Sequence, residues 1–169
     1  PEAYPGDVVG IVNPGRIAIG DTLYADSPVS FPPVPQFPPE QFASLRPGDV
    51  RHKRFDEAIN QLAEEGLLQV FLPQMGPLNP IVGVIGPLQL DVIEARLLNE
   101  YGIESKIEQL PHIGVRWPQT KDFNSLALPL SGVLKAVDRH GQKVLIFQTS
   151  WELQYAIDKN PNIDFQESM

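Results

Sequence analysis

The chain has no cysteine, so disulfides and thiolate metal sites are excluded, and the composition fits a reducing compartment such as the cytoplasm. No apolar run reaches the ~18–20 residues of a membrane helix, and no basic-then-apolar leader opens the sequence, so no membrane partner is expected. Cations are scarce. Thirteen Lys and Arg face 21 Asp and Glu, and the net charge of -8 argues against a general nucleic-acid coat while leaving room for a local basic patch. Neither G-x-x-x-x-G-K-[ST] nor G-x-G-x-x-G occurs, which removes the usual phosphate loops. His52, His112 and His140 have no metal-ligand spacing and read as surface or turn residues. Ser44, Ser131 and Ser150 lack a G-x-S-x-G context. No catalytic residue, cofactor site or metal site is expected.

Proline, by contrast, is abundant and uneven. Six of the 18 fall between Pro28 and Pro39, in "PVSFPPVPQFPP". Such density fits neither a helix nor a sheet interior, so residues 28–40 read as an extended linker, with a proline-rich ligand as the other use. The 169 residues suit one domain, or one domain with a piece of another. Opening on Pro1 predicts a piece of a longer protein. Within residues 1–27, Val8–Val12 and Arg16–Ile19 read as two strands around the turn Asn13-Pro-Gly15, the end of a barrel whose other strands lie elsewhere.

Beyond the linker the periodicities alternate. "QFASLRPGD" reads as strand and turn. "DVRHKRFDEAINQLAEEG" is helical, with Phe55, Ile59 and Leu62 on one face and Gly66 at its end. "LLQVFLP" and "IVGVIG" are strands, and "PLQLDVIEARLLNEYG" is a second helix with Leu90, Ile93 and Leu97 inward. "IESKIEQLP" alternates with period two. The order β-α-β-β-α-β predicts an α+β, ferredoxin-like core over about 41–111, an antiparallel sheet with two helices on one face. Leu62, Val70, Phe71, Val84, Ile93 and Leu97 are expected to line one core. An extension over about 112–169 completes a third, C-terminal domain of 41–169. In it, "GVRW" and "KVLIFQT" read as strands, "DFNSLALPLSGVLKAVD" is ambiguous, and Thr149 with Glu152 forms a capping box for a last helix.

Two local features invite a functional reading. Gly83-Val-Ile-Gly86 precedes a helix, where free N–H groups can cradle an anion. With Pro87 and Leu88 following instead of Lys and Ser, a strand-to-helix turn and close helix–sheet packing explain the glycines better. "RPGDVRHKRF" holds Arg46, Arg51, Lys53 and Arg54 against Asp49 alone. Cations at a helix start oppose the dipole, so contact with RNA phosphate or an acidic surface competes there with plain solvation.

"GDVVGIVNPGRIAIGDTLY", "VPQFPPEQF", "QLAEEGLLQVF", "IVGVIGPLQLDVIEARLLNEYGIE", "RW" and "PNIDF" appear in the order found in peptide chain release factor three, and from about Gly6 to Phe165 the chain resembles that family of bacterial translational GTPases. The resemblance implies that residues 1–27 end a second, β-barrel domain, and that a GTP-binding domain using GTP and GDP lies upstream. It also implies a cytoplasmic role on the ribosome, promoting GTP-dependent dissociation and recycling of stop-codon-reading release factors. This fragment would supply contacts to ribosomal RNA, ribosomal protein and its own GTP-binding domain, without enzymatic activity. Leu72 departs from the family, which has a basic residue after "QVF", and Thr120–Gln142 matches it poorly. Two other readings stand beside this one: the C-terminal part of another translational GTPase, of the elongation-factor-G-like or ribosome-protection kind, and a regulatory ferredoxin-like module that binds a small ligand at its helix–strand turns.

Overall fold

Successive side chains of a strand point to opposite faces of a sheet, and the arrangement of this protein follows from that. The computed structural model describes residues 2–12, 17, 19–31, 37–48, 53–76 and 79–168. Two units are distinguished, Pro1–Val34 and Pro35–Met169, so the boundary falls inside the proline-rich stretch.

In the first unit, Tyr4 N–H donates to the Asp7 carboxylate at 2.8 Å and Asp7 N–H donates to the Tyr4 carbonyl at 2.9 Å, a local turn. The expected strand Val8–Val12 is irregular, and its side chains are exposed. A strand needs a ladder partner. The turn Asn13-Pro-Gly15 and half of its second arm, Arg16 and Ala18, lie outside the described residues.

The second unit begins with β1 (Gln41–Pro47), α1 (Lys53–Glu64), β2 (Gln69–Pro73), β3 (Ile81–Val84), α2 (Leu88–Tyr101) and β4 (Ser105–Leu110). It continues through β5 (Gly114–Pro118), a 3₁₀ turn at Phe123–Ser125, β6 (Val133–Asp138), β7 (Lys143–Phe147), α3 (Ser150–Lys159) and β8 (Phe165–Gln166). The strands join in the order β4-β1-β3-β2-β6-β7-β5-β8. Every pairing is antiparallel. The first four strands have the ferredoxin-like order, and the extension prolongs the same sheet through pairing of Phe71, Leu72 and Pro73 with Asp138, Val137 and Ala136.

Helix α1 buries Phe55, Ala58, Ile59, Leu62 and Ala63, an i, i+3, i+4, i+7, i+8 stripe. It ends at Gly66, whose φ of 75° lets Leu67 N–H reach the Leu62 carbonyl at 3.1 Å and Gly66 N–H reach Ala63 at 3.0 Å. Helix α2 buries Leu90, Ile93 and Leu97. Both helices cover the face of the sheet that carries Ala43, Leu45, Val70, Val82 and Val84. Each large side chain fully buried there contributes about 1.5–3 kcal/mol.

Phe71 is not part of that core. It follows Val70 directly, so it points to the opposite face, where it joins Phe42, Ile81, Val115, Trp117 and Ile146. The extension folds over this second face. A third cluster, Phe123, Leu126, Leu145, Phe147 and Ala156, packs α3 and the ambiguous segment against the outer side of the extension. Pro129 stops no helix, because the chain around it is irregular between the 3₁₀ turn and β6. Thr149 and Glu152 form the capping box of α3.

Gly83 lies within β3, not in a turn. A Cβ added there would stand 2.9 Å from Phe71 Cε2 and from Cβ and Cγ of Pro39, so the glycine serves packing on the face away from the helices. Gly83→Ala should overpack this contact and lower stability by about 1–3 kcal/mol, read as a fall in the urea midpoint. An unchanged midpoint would mean that Pro39 lifts away freely.

Candidate nucleic-acid interface

Of the four cations of the predicted patch, Arg46 lies in β1, and Lys53 and Arg54 open α1. Arg46 stands opposite Lys106 in the β1–β4 ladder, and its guanidinium pairs with the Glu108 carboxylate. Lys53 opens α1 and pairs with Glu57 one turn on, at 3.5 Å. Both pairs are solvent-exposed, so they add little stability but do neutralise charge. Arg54 is exposed, and Arg51 lies outside the described residues.

The glycine turn before α2 is filled by the protein itself. Gln89 Oε1 accepts the N–H of Ile85 at 2.8 Å and of Gly86 at 3.0 Å, while its Nε2 donates to the Leu67 carbonyl at 3.1 Å. The donors that an anion would use are therefore taken by a side chain that also ties α2 to the end of α1. Gly86 itself is open to space.

His112 is buried rather than at the surface, in the turn between β4 and β5, and its Nδ1 has no hydrogen-bond partner. Burial pushes its pKa down, opposed by the charge of Glu152. His140 is exposed beside Arg139, and His52 lies outside the described residues. Among the described residues no group of three or more His, Asp or Glu could hold a metal ion. The tetrapeptides Asp7–Gly10 and Asp138–Gly141 have D-x-x-G spacing. The second is structural: Asp138 accepts the Trp117 indole N–H at 2.9 Å and the N–H groups of His140 at 2.9 Å and Gln142 at 2.8 Å. A groove of about 410 Å³ beside β6 is lined by Met75, Leu126, Leu128, Leu130 and other apolar residues, with Lys135 its one charged member. It lacks the convergent polar groups that orient a small ligand.

A cationic surface that the linear sequence hides lies on the β6–β7 hairpin. Lys135 pairs with Leu145, and Lys143 pairs with Val137, which puts both lysines on one face. Their ammonium groups stand 5.4 and 5.6 Å from the centre of the same ring, Phe123. Arg139 is exposed at the hairpin tip. None of the three pairs with a carboxylate among the described residues. In sequence they are separated by apolar residues and Asp138, so no charge run announces them. Only the hairpin register reveals the cluster.

Residues 31–157 match the family model described as class II release factor RF3, C-terminal domain. Peptide chain release factor 3 of Gloeobacter violaceus is 40% identical over 170 aligned positions, covering 98% of this chain and 32% of that protein. Peptide chain release factor 3 of Symbiobacterium thermophilum is 37% identical over 167, with 98% and 32% covered. The chain belongs to the family of RF3 C-terminal domains. It spans about a third of the length of these curated relatives.

Proposed function

We propose that this chain is the ribosome-facing C-terminal part of a factor that promotes GTP-dependent dissociation and recycling of stop-codon-reading release factors. The observation that carries the reading is the family match over most of the chain. In this reading residues 1–27 close a β-barrel domain, residues 28–40 link it to the third domain, and GTP and GDP are handled by a domain outside these residues. The third domain contributes contacts to ribosomal RNA, to ribosomal protein and to its own GTP-binding domain, in the cytoplasm.

Within this reading Arg46, Arg51, Lys53 and Arg54 face phosphate. Glu108 and Glu57 temper Arg46 and Lys53, and Arg54 is exposed, so the test reverses the charge at positions 51 and 54. Arg51→Glu with Arg54→Glu, placed in a full-length release factor 3 background, should weaken ribosome association by about tenfold at low salt and slow release-factor recycling. Far-UV circular dichroism would first verify the fold. Ribosome association and recycling equal to the parent at several salt concentrations would reduce the cluster to a solvated helix start.

A further inference from the structure

Two ammonium groups gathered at one aromatic ring repel each other, and among the described residues neither lysine forms an ion pair with a carboxylate. Phe123 is buried and holds both in place, through its ring face, at one end of the third core cluster. An anion between Lys135 and Lys143 would relieve the repulsion and gain two charge-assisted contacts. Arg139, at the tip of the same hairpin, extends the positive surface outward. The chain as a whole carries -8, so this hairpin is a local reversal of sign that orients the molecule toward a polyanion.

We infer that the β6–β7 hairpin is an RNA-backbone contact, in which Lys135 and Lys143 bind phosphate from a Phe123-braced platform and Arg139 binds a neighbouring phosphate. None of these three residues belongs to the run from Arg46 to Arg54. Recognition is of backbone and not of bases, because the Phe123 ring is buried and offers no stacking surface. The choice of RNA over other polyanions rests on the translation-factor reading.

The experiment measures binding of the whole 169-residue chain to a fluorescein-labelled RNA hairpin, to a hairpin of scrambled sequence and to purified bacterial ribosomes, across a salt series. Lys135→Gln with Lys143→Gln should weaken binding to both hairpins by about tenfold, and reduce the slope of log affinity against log salt by roughly 1.5. Lys135→Arg with Lys143→Arg should bind like the parent. Arg139→Gln, at an exposed position without packing, gives a second readout and should reduce the slope by roughly 0.7–0.9. Affinity and slope equal to the parent in a folded double variant overturn the inference. So does a parent chain that ignores RNA, or that prefers poly-glutamate. Lysine-dependent binding to RNA hairpins without binding to ribosomes keeps the inference and sinks the ribosomal reading. Ribosome binding that is indifferent to these lysines does the reverse.

Discussion

Phe71→Ala is expected to cost about 3–5 kcal/mol. Phe71 is fully buried and lies 6.2 Å, ring centre to ring centre, from both Phe42 and Trp117. It therefore links β1 of the ferredoxin-like half to β5 of the extension. Its ring also fills the space left by Gly83, so truncation would open a cavity bordered by glycine and proline, which cannot swing in to close it. The adjacent Leu72 is 41% exposed, and Leu72→Ala should cost less than about 1 kcal/mol. Guanidinium unfolding of both variants measures the contrast. Equal costs would mean that the register of β2 against β6 is displaced by one residue.

Asp138→Ala should be comparably damaging, at about 2–4 kcal/mol. The carboxylate is 7% exposed and accepts three N–H groups, one from the Trp117 side chain and two from the hairpin backbone. Alanine leaves these donors without their acceptor, and the indole donor is buried. Trp117→Phe removes only the indole donor and should cost less, about 1–2 kcal/mol. Urea midpoints of the two variants, and of the double variant, separate the indole bond from the turn. A loss below about 0.5 kcal/mol in Asp138→Ala would show that water replaces the carboxylate at no cost.

Helix periodicity and strand alternation are enough to place α1, α2 and β4, because the helices bury one face and expose the other and β4 alternates half-buried with exposed residues, while the Thr-x-x-Glu spacing marks the capping box of α3. Phe71 belongs to a different core from the one its sequence context suggests, for the opposite reason. β2 and β3 are covered on both faces, so their apolar runs carry no mark of which side is which. The partners of charged residues were hidden by distance along the chain: Glu108, which pairs with Arg46, lies 62 residues away. The cradle before α2 illustrates a different limit. The missing lysine motif argued against phosphate, but only the fold shows Gln89 occupying the donors. The lysines over Phe123 are brought together by a hairpin whose flanking segment has no regular period, so the sequence gives no reason to group them.

The ladder between β2 and β6 also bears on synthesis. In a four-stranded ferredoxin-like sheet β2 would be an edge, and here that edge is sealed by a strand that begins at Val133. A ribosome moving at roughly 5–20 residues per second leaves "QVFLP" unsealed for about 3–13 seconds after it emerges, with the aromatic Phe71 face uncovered as well. That is the composition from which intermolecular β-pairing starts. Pro73, which cannot donate to a neighbouring strand, closes the segment and limits that pairing. Among the described residues the sheet ends on β4 and β8, and in β4 Lys106 and Glu108 stand as exposed charges on either side of Ile107. A proline thus marks the edge that a later strand covers, and charge marks an edge at which the described sheet ends.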